Sequence, residues 1–454
     1  MQDIPVARHA LDGLGARPLE LRDMGEGGLA QGPLDGPSYY RATANPFSSG
    51  PPLEGVVDAD VAIVGAGFTG LSAALELRRL GFSVVVLDRG PVGWGATGRN
   101  GGQICTGYSP GMEKLEKALG SETARHCFQM AEEAKQLLKD RVAAHAIQCD
   151  LKWGYLVCAP KAGHMRGLAE HQEELRRYGY GETELLDRSA LEERVATRIY
   201  QGALSDRGAG HFHPLNYALG LARAVKDDGG RICERSAVTR IEEGARPVVR
   251  TEQGEVRARF VILGCNAYLD GLVARIQHRV MPVASYVVAT EPLGEERALG
   301  LIARDEAVTD ANFVVDYYRL TGDRRLLFGG RCSYSGFHPK DLAASMRPRM
   351  LKIFPQLADV GIDYAWGGMI GITHNRLPDC GRLGKNIYYT QGYSGQGVVL
   401  SGLFGKLMAE AVAGDASRFD VFTRIRHAPF PGGPLRRPAL AAGMLYYRLR
   451  DLLA

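Results

Sequence analysis

Hydrophobic and polar positions alternate with two different periods along this chain. From Asp60 an apolar run at Val61–Val64 is followed by an amphipathic stretch at Gly70–Leu80 and a second apolar run at Ser83–Leu87. Short continuous apolar runs read as strands buried on both faces, and the 3.6-residue period between them reads as a helix. Together they predict a βαβ unit with parallel strands. The pattern is helical again over about 112–145, strand-like at Leu151–Ala159 and helical over about 161–179; LLDRSALEERV reads as a strand end entering a helix. Ala218–Asp227 reads as a helix, and Val238–Ile241 and Val256–Leu263 read as strands. Residues 280–335 change character. MPVASYVVAT, FVVDYYRL and RRLLFGGR predict an antiparallel sheet, with DRRL as a hairpin turn. Pro348–Pro355 belongs to a helical segment that ends in FPQL, and NIYYTQGYSGQGVVLSGLFGKLMAEAVAG predicts a strand, a glycine turn and a helix.

Glycine-rich turns of one kind thus stand near both ends of the chain. If they meet in space, the α/β unit that carries them is discontinuous and the antiparallel sheet is inserted within it. The expected division is an N-terminal arm at 1–50, an α/β domain at 51–145, 196–275 and 366–454, and an α+β domain at 146–195 and 276–365. The arm has no helical or strand period, with Tyr39 and Tyr40 as its anchors on the body.

Composition narrows the function. The chain has 454 residues, 45% hydrophobic and 23% charged, with a net charge of 55 − 51 = +4. That is the composition of a soluble globular protein with more than one core. The basic residues are scattered without an aromatic-basic stripe, which argues against nucleic-acid binding. Cys105, Cys127, Cys149, Cys158, Cys233, Cys265, Cys332 and Cys380 form no C-x-x-C pair, so neither a zinc site nor a dithiol motif is expected, and reduced buried thiols are. His211 and His213 form H-x-H without a third ligand and read as structural. MQDIPVARHALDG lacks the apolar core of a signal peptide, and no run reaches the roughly 18 apolar residues of a membrane span. A cytoplasmic location is the expectation; amphipathic MLYYRLRDLL near the C-terminus reads as docked on the body.

Gly65-Ala66-Gly67-Phe68-Thr69-Gly70 is G-x-G-x-x-G between a predicted strand and a predicted helix. Gly65 permits the tight turn, Gly67 lets a pyrophosphate approach the backbone, and Gly70 lets helix pack on strand. The helix start then presents free N–H groups and partial positive charge. Asp88, at the end of the next strand, can accept from ribose hydroxyls. This is a dinucleotide site, with a ligand-free βα turn as the blander alternative. Two further runs separate FAD from NAD. Gly93–Gln103 is glycine-rich where an NAD-binding unit would enter another helix, which suggests backbone lying along an extended ligand rather than a surface loop. Gln391–Val398 precedes a helix whose start could face the N1–C2=O edge of an isoalloxazine and stabilise the anion formed on reduction.

These segments, with GATGRNGGQ (95–103), GAGHFHPLN (208–216), GCNAY (264–268) and QGYSGQGV (391–398), resemble the D-amino-acid-oxidase-type family of FAD oxidoreductases. The likeness runs from about Ser38 to the C-terminus, through VVDYYRLTGDRRLLFGG, GRLGKNIYYTQGYSGQGV, SRFDVF and HAPFPGG, and leans to members acting on a gamma-glutamylated polyamine such as gamma-glutamylputrescine. It implies a Rossmann-type FAD domain with an inserted substrate domain. Gly65, Gly67, Gly70 and Asp88, with Phe68, Thr69 and Arg89 beside them, would hold the pyrophosphate and adenosine ribose. Ala96, Thr97, Asn100, Gly101, Gly102 and Gln103 would line the ribityl chain and flavin. Val238 would touch the adenine, and Gly395, Gln396, Gly397 and Val398 would cap the flavin C2=O end.

The chain departs from family patterns in four places. Gln396 stands where relatives often have His. Gly367–Ile372 offers no Cys for a flavin link, so FAD should be non-covalent. Ile370 stands where glycine-oxidase-like relatives carry an Arg for a substrate carboxylate, which favours an amine over a simple α-amino acid. Arg324–Phe328 has no Lys at the place some relatives use for O2, which leaves oxidase and dehydrogenase open. Hydride transfer to the flavin needs no certain catalytic side chain; positioning and electrostatics are the protein's share. Substrate contacts are expected from Tyr317, Tyr318, Arg331, His374 and Arg376, each with a rim or core role as the alternative. Trp366 packs either beside the flavin or in the core. Two other readings stay open: oxidation of a cyclic or secondary amino acid such as pipecolate or sarcosine, and a flavin-binding protein without turnover. A nicotinamide dehydrogenase fits the second and third glycine runs less well. No metal is expected; the partners are a small amine and O2 or another electron acceptor.

Overall fold

The computed structural model describes residues 36–312, 314–333 and 338–430, apart from the Arg331 side chain. The predicted contact Arg331, the arm before residue 36 and MLYYRLRDLL therefore lie outside the described side chains. Among the described residues the strands form an eight-stranded and a nine-stranded sheet.

The first sheet is the predicted parallel unit. Its path runs Asp379–Leu383, Ile387–Gln391, Gly254–Leu263, Gly55–Val64, Val84–Leu87 and Arg231–Cys233. All neighbours on the path are parallel except the first pair. Val61, Ala62 and Ile63 are fully buried because both faces are packed, Val61 and Ile63 on the helix side and Ala62 in a second apolar cluster with Val85, Val249 and Val261, which is why these strands read as unbroken apolar runs. The Phe68–Arg79 helix packs against the Gly397–Val412 helix. The two ends of the chain meet there: Thr69 Oγ1 and Tyr393 OH share a buried hydrogen bond of 2.8 Å.

The second sheet has the order Ile362–Thr373, Val280–Thr290, Leu326–Ser333, Tyr317–Leu320, Ala307–Asp310, Lys152–Cys158, Gly202–His211 and Gln103–Ile104. The antiparallel pairs of Leu326–Ser333 with Val280–Thr290 and with Tyr317–Leu320 are those foreseen for 280–335. Three sequence assignments need correction. Gln103–Ile104, Gly202–His211 and all of Ile362–Thr373 belong to this sheet, although 51–145, 196–275 and 366–454 are expected in the α/β unit. A strand belongs where its ladder runs. Ile362–Thr373 pairs with Val280–Thr290 from end to end, straight through the expected boundary at 365/366.

The Tyr39–Ala42 helix anchors the arm as foreseen. Tyr40 is fully buried, Tyr39 nearly so, and Tyr39 OH donates to Asp323 at 2.7 Å. All eight cysteines are free. No single described helix is long and apolar enough to cross a membrane.

Candidate active site

One cavity of about 1450 Å³ lies between the two sheets. It exceeds the roughly 300–1,000 Å³ of an ordinary small-molecule site and so has room for a cofactor and a substrate together. All three glycine segments line it, through Gly65, Gly67, Phe68 and Thr69, through Gly93–Thr97, Asn100, Gly101 and Gln103, and through Gly395–Val398. Asp88, Arg89 and Val238 lie on the same wall.

The glycines are needed for space. Gly65 has φ +108°, and a Cβ there would stand 3.0 Å from the Gly264 carbonyl oxygen. A Cβ on Gly67 would stand 2.9 Å from Thr97 Oγ1, and one on Gly101 would stand 2.6 Å from the Tyr317 ring. Two predicted contacts, Gly70 and Gly102, lie behind the wall. A Cβ on Gly70 would overlap the Gly65 carbonyl oxygen at 1.9 Å, and one on Gly102 would overlap that of Phe212 at 2.2 Å. They shape the cradle without facing the cavity.

Side chains expected to reach a ligand also hold the cradle together. Asp88 accepts from Ala66 N–H at 2.7 Å, Gly90 N–H at 2.9 Å and Trp94 Nε1–H at 2.6 Å. Burial pushes its carboxyl above the usual carboxylate value, and those donors oppose the shift. Thr97 Oγ1 accepts from Phe68 N–H at the helix start. Asn100 donates to the carbonyls of Ala96 and Thr97 and accepts from Gly102 N–H at 2.7 Å.

The second sheet supplies the opposite wall with Tyr155, Val157, Leu204, Asp206, Ser285, Thr309, Tyr317 and Cys332, and Met369, Ile370 and Arg376 complete it. Of the expected substrate contacts, Tyr317 and Arg376 therefore reach the cavity. Tyr318 does not: strand alternation turns it into the second core, where it is fully buried and donates to Tyr200 OH at 3.3 Å. His374 is exposed and packs on Phe430. Trp366 is a core residue beside Tyr40, donating to the Arg99 carbonyl at 3.2 Å. His213 accepts from Asn216 N–H through Nδ1, which leaves its Nε2–H to donate to Thr43 Oγ1; His211 Nε2–H donates to the Asp305 carbonyl.

Sequence reading missed Arg319. Its guanidinium is 2% exposed and donates to the carbonyls of Gly101 at 2.7 Å and Leu320 at 3.0 Å and to Tyr40 OH at 3.1 Å. It joins the arm to the cavity wall from behind. The only signal in the sequence is a charge inside an apolar strand, YYRL.

The model of the FAD dependent oxidoreductase family matches residues 60–411, most of this fold and every segment of the cradle. The chain belongs to the FAD-dependent oxidoreductase family. The gamma-glutamylputrescine oxidoreductase of Escherichia coli (strain K12) is 46% identical over 418 residues, covering 92% of this chain and 98% of that protein. Glycine oxidase from Bacillus cereus superposes with a TM-score of 0.68 at 19% identity, covering 82% of this chain and 99% of that one. L-proline dehydrogenase from P. horikoshii superposes with a TM-score of 0.65 at 19% identity, covering 78% and 93%. One fold thus carries both an oxidase and a dehydrogenase.

The wall chemistry of this FAD-dependent oxidoreductase fits its cofactor. Two helix N-termini open on the cavity, and neither N-cap residue, Gly67 nor Gln396, caps its helix through a side chain. Gln396 Oε1 and Arg89 Nη2 are buried on that wall without a hydrogen-bond partner, which is what a polar ligand would supply.

Proposed function

We propose that this enzyme oxidises the C–N bond of an amine, a gamma-glutamylated polyamine such as gamma-glutamylputrescine. Bound FAD supplies the two-electron acceptor for the hydride that leaves the carbon beside the amine, and O2 accepts the electrons in turn, giving H2O2. The resulting imine hydrolyses to an aldehyde. The reading is carried by one coincidence: 46% identity over 92% of the chain to a gamma-glutamylputrescine oxidoreductase, and a cavity in which the three glycine segments face the second sheet.

The chain's own residues bind and orient. Gly65, Gly67 and the helix start at Phe68 and Thr69 receive the pyrophosphate of the cofactor. A carboxylate has about four acceptor sites. Asp88 uses three within the protein, which leaves one for a ribose hydroxyl. Val238 would meet the adenine. Ala96, Thr97, Asn100, Gly101 and Gln103 would hold the ribityl chain and ring, and the helix N-terminus at Gly395–Val398 would stabilise the negative charge that the ring gains on reduction. By the family resemblance Ile370 stands where glycine-oxidase-like relatives carry an Arg for the substrate carboxylate, which supports an amine over a simple α-amino acid, while Arg376 on the same wall is the cation that a cyclic or secondary amino acid would use instead.

An anaerobic mixing experiment tests the proposal. Purified holoenzyme is mixed with gamma-glutamylputrescine, putrescine, spermidine, pipecolate or sarcosine while flavin absorbance is followed. Rapid bleaching by gamma-glutamylputrescine is expected, with recovery and H2O2 on admitting air. Bleaching by pipecolate or sarcosine instead would overturn the amine assignment, and recovery only with an artificial acceptor would make the enzyme a dehydrogenase.

A further inference from the structure

The cavity wall holds a buried carboxylate that the proposed reaction leaves without a role. Asp206, on the Gly202–His211 strand, is 6% exposed and faces the cavity. It accepts from Thr106 Oγ1–H at 2.5 Å, Tyr180 OH at 2.5 Å and Gly208 N–H at 3.0 Å, all neutral donors. Lys135 stands behind it. Its ammonium donates to the same two hydroxyls, at 3.1 and 3.2 Å, and pairs directly with Glu132 at 2.8 Å. Two carboxylates thus share one buried ammonium, and the one on the cavity side touches no cation of its own among the described residues. A buried anion in that state is stabilised by a cationic ligand.

Strand register sets the distance between Asp206 and the cofactor segment. Tyr317, packed on Gly101, is opposite Thr309; Thr309 is opposite Val157, and Val157 opposite Leu204. All four line the cavity, and Asp206 lies two residues beyond Leu204 on the same face. Three strand steps and two residues make a trough about 16 Å long. Its floor is largely apolar. A carboxylate touching the reacting nitrogen would hold it protonated and its C–H bonds poor hydride donors, so Asp206 suits a different nitrogen.

Resting on the amine-oxidation reading above, we infer that Asp206 is the specificity-determining contact for a second, non-reacting ammonium of the substrate. That group lies about nine bonds from the oxidised carbon, an extended reach of about 12 Å. The α-ammonium of a gamma-glutamyl group meets this requirement.

The test compares gamma-glutamylputrescine with N-glutarylputrescine, which keeps the length and carboxylate and lacks only the α-ammonium. Wild-type holoenzyme should prefer the former by at least about 30-fold in kcat/KM, mostly through KM. Asp206→Asn should lose that preference, its kcat/KM falling at least about tenfold further on gamma-glutamylputrescine than on N-glutarylputrescine. Equal losses on both compounds, or no wild-type preference, would overturn the inference; the wild-type comparison stands even if the variant fails to fold. Should no amine reduce the flavin, the catalytic reading falls by itself. Calorimetric titration of wild type and Asp206→Asn with gamma-glutamylputrescine then decides the site: binding weakened in the variant supports it, and equal or absent binding sinks it.

Discussion

Asp88 is two things at once, a ligand contact and the pin of its own loop. Replacing it by Asn turns one acceptor oxygen into a donor facing the N–H groups that now converge on it, Ala66 on one side or Gly90 and Trp94 on the other. Leaving a buried donor unpaired costs about 1–3 kcal/mol. Asp88→Asn should therefore purify with less flavin per chain, read as the ratio of flavin to protein absorbance, and should melt at lower temperature. At Gly101 the argument is steric. A Cβ would push on the Tyr317 ring at 2.6 Å, and that ring also fills the space over Gly329. Gly101→Ala should displace Tyr317 and lower kcat/KM by tenfold or more while the chain still folds, measured by steady-state kinetics beside a thermal melt. Both positions were legible in the sequence because their spacing is local. Tyr318 and His374 were not: which of two adjacent residues faces a cavity depends on strand parity, and parity is fixed only when the sheet closes.

At the scale of elements, the cofactor cradle depends on how closely two helices approach. The 397–412 helix crosses the 68–79 helix at Gly405, where a Cβ would stand 2.4 Å from the Thr69 carbonyl oxygen and 2.8 Å from the Ser72 side chain. Backbone cannot move aside as a side chain can. Gly405→Ala should cost about 1–3 kcal/mol by overpacking, and should loosen flavin binding because Thr69 lines the cavity. A lowered melting temperature together with a faster release of FAD into excess apo-acceptor would bear this out; an unchanged melt would refute it. Amphipathic period and the glycine turns announced both helices. Their crossing point depends on a contact 336 residues apart in the chain, which no local pattern encodes.

At the scale of the whole molecule, buried charge ties arm, wall and sheet together. Burial and the nearby Arg319 cation push His211 and His213 down to about 3. In the unfolded chain both titrate near 6.5. Protons therefore bind the unfolded state first as pH falls. The stability held above about pH 6.5 is lost progressively down to pH 3, by about 2 kcal/mol per histidine at pH 5. Asp310, pushed up to about 6 by burial first and the neighbouring Asp316 next, works in the opposite direction and recovers about 1 kcal/mol at that pH. Urea unfolding should thus show a net fall between pH 7 and pH 5, and His213→Gln should flatten part of it. A flat profile in the wild type would mean that these histidines are hydrated.

The amino-acid sequence by itself determined the parallel βαβ unit, the three glycine segments and the FAD that they imply, because each rests on short-range spacing: a turn, a helix start, a run of apolar residues. It also pointed to an antiparallel sheet between them. Only the tertiary structure decided which strands belong to that sheet, since a ladder is made between residues far apart in the chain and Ile362–Thr373 shows its partner only when paired. The same holds for Arg319 and Asp206. Arg319 looks like a stray charge in an apolar strand and Asp206 like half of a surface Asp-Arg pair, and they become a buried cation behind Gly101 and a carboxylate on a cavity wall only once the fold excludes water around them.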